Sequence, residues 1–80
     1  METIISIAID FLKKYKEATF DEIFIEIQKR LMPKWEKQLP NESAEQILVR
    51  KRGELYKLLT IDGSFTPLGD NLWSLRSDLL

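Results

Sequence analysis

The sequence predicts an α+β, mainly helical domain with the element order of a winged helix-turn-helix: helix, short strand, helix, helix and a C-terminal β-hairpin wing. Three observations carry that prediction. Two helix-start signatures, Thr19-x-x-Glu22 and Ser43-x-x-Gln46, each precede a run with helical apolar spacing. An Asp62-Gly63 turn ends the helical texture. Beyond it, two short strand-like runs flank Gly69-Asp70-Asn71, the pattern of a hairpin. Element order specifies an architecture and not what the domain binds.

Residues 3–16 read as the first helix, because Ile4, Ala8, Phe11, Leu12 and Tyr15 recur at helical spacing. Ile5, Ile7 and Ile9 widen its apolar arc, so protein is expected on more than one side. Ala18-Thr19 is a short extended link. The Thr19–Glu22 box then opens the second helix, whose apolar row is Phe20, Ile23, Phe24, Ile27 and Leu31. That helix is expected to stop at Met32, since Pro33 disfavours helical geometry in the residue before it. Residues 33–42, bounded by Pro33 and Pro40, read as a loop with at most one helical turn, anchored by Trp35 and Leu39.

The Ser43–Gln46 box starts a third helix running to about Thr60. Its polar face holds Gln46, Arg50, Gly53, Glu54 and Lys57. Ala44, Ile47, Leu48, Leu55, Leu58 and Leu59 lie opposite, with Val49 and Tyr56 on one flank. Gly53 costs a helix roughly 1 kcal/mol relative to alanine, which hints at a close contact or a bend. In the hairpin, Ser64–Leu68 and Leu72–Arg76 are the strands. Pro67 cannot donate a ladder hydrogen bond and so belongs on an edge, while Trp73 and Leu75 share one face.

Eighty residues make one domain spanning 1–80, with 44% hydrophobic and 31% charged residues, a composition of folded rather than disordered chains. The absence of cysteine and histidine removes thiolate zinc sites, disulfides, the commonest general base and the standard nucleophilic triads. No catalytic residue, metal or cofactor is expected, and the chain is read as a non-enzyme. The net charge is −1, and the two halves of the chain are each close to balance, whereas nucleic-acid binders usually carry a clear positive excess. The most apolar stretch, Ile4–Leu12, is too short for a bilayer and lacks a basic flank, so a cytoplasmic, membrane-free and monomeric protein is expected.

The run from Leu58 to Arg76, containing Asp62-Gly63-Ser64-Phe65 and Trp73-Ser74-Leu75-Arg76, resembles the end of the folded domain in the delta subunit of bacterial DNA-directed RNA polymerase. Thr19-Phe20-Asp21-Glu22-Ile23 is similar to the start of that family's second helix. The family pattern has Arg where Ser64 stands and Gly where Ser74 stands, and the Pro33–Glu42 connection looks expanded. The resemblance implies a winged-helix (HARE-HTH-type) fold. It also implies an accessory role: binding the polymerase core, modulating initiation specificity and helping the enzyme recycle, without touching the active site. Family members carry a long acidic tail after the folded domain. Only Asp78 is acidic beyond Arg76 here, so the tail's polyanionic competition with nucleic acid is not expected of this chain.

Several clusters admit both a binding and a structural reading. Lys29, Arg30, Lys34 and Lys37 surround Trp35, which suits docking on an acidic polymerase surface or single-strand stacking; equally, Trp35 covers the end of a small core. Gln46, Arg50 and Lys57 on the third helix, with Arg76 on the wing, would be the contacts of a DNA-binding winged-helix regulator, the alternative function. Lys51 and Arg52 fall within or beside the apolar arc, where long stems snorkel, and Glu54 either faces phosphate unfavourably or pairs with Arg50. Phe65, Trp73 and Leu75 form either a platform or, more in keeping with a hairpin's need for a packed face, core. Arg76 is read as a structural partner for a carboxylate such as Asp62, and Glu22 and Glu26 as a solvated face completed by Arg30. A module of a restriction or chromatin system rests on shared fold alone.

Overall fold

The computed structural model describes residues 2–79. Its elements run α1 (Ile4–Tyr15), β1 (Glu17–Thr19), α2 (Phe20–Gln38), α3 (Ala44–Ile61), β2 (Phe65–Gly69) and β3 (Leu72–Leu75), with a closing 3-10 turn at Ser77–Leu79. This is the order of a winged helix-turn-helix. All three helices start with a reciprocal capping box. Thr19 Oγ1 accepts from the Glu22 amide at 3.1 Å while Glu22 Oε1 accepts from the Thr19 amide at 2.9 Å, and Ser43 and Gln46 repeat the arrangement. At α1 the same box is built by Thr3 and Ser6, a pair that the Glu/Gln signature misses because a serine hydroxyl replaces the longer side chain.

The sheet is antiparallel with order β1-β3-β2, so β3 is central and the hairpin adds its second strand at an edge. Ala18 pairs with Trp73 and Phe65 with Leu75. Pro67 lies in the edge strand β2, where its missing donor is tolerated, and the ladder slips between Pro67 and Gly69 so that Leu68 bulges out. The tip residues Asp70 and Asn71 both hold positive φ, 50° and 65°, as the type I′ turn favoured by the strand twist demands. The core is the space enclosed by one stripe of each helix and the inner face of the sheet. Ile7, Ala8 and Leu12 of α1 meet Ile23, Phe24 and Ile27 of α2, Ile47, Leu55 and Leu59 of α3, and Phe65, Trp73 and Leu75 of the hairpin.

The second helix does not stop at Met32. It continues through Pro33 to Gln38, so residues 33–38, expected to be loop, are helical. The cause is Trp35, which extends the buried row Phe24, Ile27 and Leu31 and is only 3% exposed. Burying an indole of roughly 200 Å² is worth about 5 kcal/mol as an upper estimate, against about 3 kcal/mol for an internal proline. Pro33 is exposed, as is Lys29 four residues earlier, so the carbonyl left without its helical donor is open to water.

Gly53 differs from expectation as well. A Cβ at this position would meet nothing within 4 Å, so neither a close contact nor a left-handed backbone requires glycine there. The third helix faces as its spacing predicts, with Ile47, Leu48, Leu55, Leu58 and Leu59 turned inward and Gln46, Arg50, Gly53 and Lys57 turned outward; the differences lie at its margins. Lys51 is largely covered (its side chain is 14% exposed), whereas Ala44, Val49 and Tyr56 face out.

Candidate functional site

In a winged helix the third helix and the wing are the two elements that the core holds outward, so their surfaces decide what the fold can grip. The basic triplet Arg50-Lys51-Arg52 spans most of the α3 circumference, and each member is engaged locally. Arg50 Nη2 donates to Glu42 Oε2 at 2.7 Å. Lys51 reaches Glu54 at 3.3 Å and lies 5.4 Å from the centroid of the Trp35 ring. Arg52 donates to Asp21 Oδ1 at 2.7 Å and stacks on Phe20 and Phe24 at 5.1 and 5.2 Å. Glu54 therefore pairs with Lys51 and not with Arg50, whose partner comes from the loop before α3.

Gln46, Arg50 and Lys57 do share one row of α3, as expected of an exposed face, and all are exposed. Gln46 Oε1 is committed to the Ser43 amide and Arg50 to Glu42, so Lys57 is the basic member of this row without an ion pair among the described residues. Arg76 stays at the base of the wing, where its Nε donates to Asp78 Oδ1 at 2.9 Å. Its carboxylate partner is Asp78 in place of Asp62, which reaches Arg76 only through space. Asp62 instead accepts the Ser64 amide at 2.8 Å, and that bond, helped by the Ser64 hydroxyl and by Arg76, holds its carboxyl below the usual range. Arg76 holds Asp78 low by the same logic. The wing tip, Pro67 to Asn71, contains Asp70 and no base.

The lysine cluster on α2 does not surround an exposed aromatic. Trp35 is packed against Phe24 with ring centroids 6.4 Å apart, and Lys51 covers it from α3. The indole is thus core, and it is not the accessible anchor of a docking patch. Arg30 is tied to Glu26 at 2.7 Å and to Glu2, which also raises its pKa. Lys29, Lys34 and Lys37 are exposed and form no ion pair among the described residues. Glu22 caps α2 and Glu26 pairs with Arg30, so the carboxylate row is structural. Among the described residues no group of three or more His, Cys, Asp or Glu side chains is placed to hold a metal, and no helix is long and apolar enough to cross a membrane.

One feature of α3 escaped the sequence reading. Val49, Gly53, Tyr56 and Thr60, spaced i, i+4, i+7 and i+11, form an uncharged ridge along its exposed side. Val49 is 68% and Tyr56 60% exposed. Thr60 Oγ1 donates within its own helix, to the Tyr56 and Lys57 carbonyls at 3.0 and 2.9 Å as alternative acceptors, which leaves its methyl group as the outward element. The signal was present in the sequence as a run of uncharged residues at helical spacing between charged ones. It was masked because Val49 and Tyr56 looked like the flank of a buried arc.

No family model, curated protein or solved structure matches the chain.

Proposed function

We propose that this chain is a delta-type accessory subunit of bacterial RNA polymerase: a non-catalytic winged-helix domain that works by binding the core enzyme and modulates initiation specificity and recycling. Two lines support the reading. The residues from Leu58 to Arg76 carry the sequence resemblance, and in the fold they form the end of α3, the turn and the wing. The observation that carries it furthest is electrostatic. Every arginine is ion-paired within the domain, Arg30 with Glu26 and Glu2, Arg50 with Glu42, Arg52 with Asp21, and Arg76 with Asp78. A DNA-reading winged helix gains affinity by neutralising phosphates with free cations on its third helix and wing. Here Arg50, Lys51, Arg52 and Arg76 already have carboxylate partners, which leaves Lys57 as the uncompensated cation of the third helix among the described residues; the wing tip is acidic, and the net charge is −1. A protein surface makes no such demand.

The test is fluorescence anisotropy of the labelled chain titrated with bacterial core RNA polymerase, beside random duplex DNA at low and physiological salt. Saturable binding to polymerase with no comparable DNA binding is expected. Tight DNA binding that weakens steeply with salt, without a polymerase interaction, would overturn the reading in favour of a DNA-binding regulator using Gln46, Arg50, Lys57 and Arg76.

A further inference from the structure

We infer that Glu42 acts as a built-in substitute for a phosphate: it fills the fork of Arg50 and so keeps the third helix from gripping duplex DNA. This inference rests on the polymerase-binding reading, in which that face takes up no DNA, and names the residue responsible.

Arg50 stands on the exposed row of α3 with Gln46 and Lys57, in the N-terminal half of the helix, from which a helix-turn-helix reaches base edges. Its guanidinium meets Glu42 through two bonds, Nη2 to Oε2 at 2.7 Å and Nε to Oε1 at 3.3 Å. Arginine takes a phosphate or the edge of guanine with the same two-pronged geometry, so one fork cannot serve both partners at once. The carboxylate is the better seated of the pair. Its side chain is 22% exposed against 55% for Arg50, and its backbone amide donates to the Leu39 carbonyl at 3.1 Å, in the turn that joins α2 to α3. Glu42 therefore belongs to the turn, and Arg50 reaches back to it.

Sterics would not keep a nucleic-acid backbone away. Between this turn and α3 lies an open groove of about 880 Å³, lined in part by Glu42, Ser43, Glu45, Gln46 and Arg50, so charge decides what enters. Two carboxylates, Glu42 and Glu45, line it beside one guanidinium. A phosphate would have to displace Glu42 from Arg50 and would then lie in the same groove as Glu45. The pair itself adds little to folding, because half of the arginine side chain remains in water. Its main consequence is at the surface, where it withdraws the arginine of the exposed row from phosphate.

Glu42→Gln keeps the shape of the side chain and frees Arg50. Anisotropy with random duplex DNA, from low to physiological salt, is expected to show binding at least about fivefold tighter than that of the parent chain at low salt. The slope of log affinity against log salt should steepen by about 0.9, the value of one added phosphate contact. Glu45→Gln makes the same charge change in the same groove without releasing an arginine, and its slope is expected to stay that of the parent. Adding Arg50→Ala to Glu42→Gln should return the affinity to within about twofold of the parent chain. All three chains are expected to keep a cooperative melt, since exposed ion pairs contribute little to stability. Parent-like DNA affinity in folded Glu42→Gln would overturn the role of Glu42 and leave the polymerase reading standing. So would an equal gain in Glu45→Gln, or a gain that survives Arg50→Ala. Tight, salt-sensitive DNA binding by the unsubstituted chain would overturn both.

Discussion

The guanidinium of Arg52 covers the ring of Phe20, 5.1 Å from its centroid. The same group lies over Phe24 and donates to Asp21, so Arg52 joins α3 to the first turns of α2. Lys51, one residue earlier, joins α3 to the end of α2, lying over Trp35 and pairing with Glu54. Both long side chains lay their apolar stems across the gap between the helices and satisfy their charge at its edge.

Arg52→Ala is accordingly expected to cost about 1 kcal/mol, the sum of one stacked cation and one exposed ion pair. Arg52→Lys should restore less than half of that, because an ammonium cannot lie flat on a ring while holding a carboxylate. Urea denaturation of the three chains measures it. A full rescue by lysine would show that charge alone matters.

Trp35→Ala should cost about 3–5 kcal/mol, as large as the whole stability margin of a domain this size. Any loss of the proposed polymerase binding would therefore report unfolding, visible as a lost cooperative melt. Trp35→Phe keeps an aromatic ring against Phe24, and it is expected to stay folded and bind polymerase within twofold of the parent chain. A specific binding defect in folded Trp35→Phe would return the indole to the interface.

Pro33→Ala is expected to stabilise the domain by about 2 kcal/mol. Removing an internal proline gains about 3 kcal/mol in helix propensity, and about 1 is returned because the unfolded chain becomes freer. The exposed site offers no packing to lose. Thermal or urea unfolding decides this, and a destabilised variant would mean that Pro33 itself helps to seat Trp35.

Acid should destabilise the fold through Asp62 and Asp78. Both carboxyls are held low, Asp62 first by the Ser64 amide and Asp78 first by Arg76, so the unfolded chain takes up protons more readily than the folded one. Their contribution is complete above the usual carboxylate range, about pH 4, and disappears as pH falls through their lowered folded values. With no histidine in the chain, the melting temperature should be flat from about pH 5 to 7 and fall below about pH 4. Asp62→Asn, which removes the titrating group, should make the acid limb shallower. An unchanged limb would place the acid sensitivity elsewhere.

Where the local signal was self-contained, the sequence reading and the structure agree. The capping boxes at Thr19 and Ser43, the edge strand with Pro67, the hairpin around Asp70-Asn71 and the buried pair Trp73 and Leu75 are all as their spacing predicts. Each depends on residues within a few positions of one another, or on the two-residue alternation of a strand. The end of α2 did not follow the same rule. Pro33 is a strong local breaker, and only a buried Trp35 outweighs it.

The candidate site was legible in its residues and not in its pairings. That Arg50, Lys51, Arg52 and Arg76 are charged, and that Gln46, Arg50 and Lys57 share a helix row, is read from spacing alone. Which carboxylate each meets is set by chain segments as distant as residues 21 and 52, and that distance in sequence carries no pattern. The sequence by itself determined the winged-helix order, the caps, the hairpin and a near-zero charge, since these follow from backbone preference, periodicity and composition. Tertiary structure alone decided that Trp35 is buried, that the flank residues Val49 and Tyr56 of α3 face outward, and that the arginines are neutralised. A helix can rotate about its axis at little local cost, and the best burial of the whole core chooses its angle.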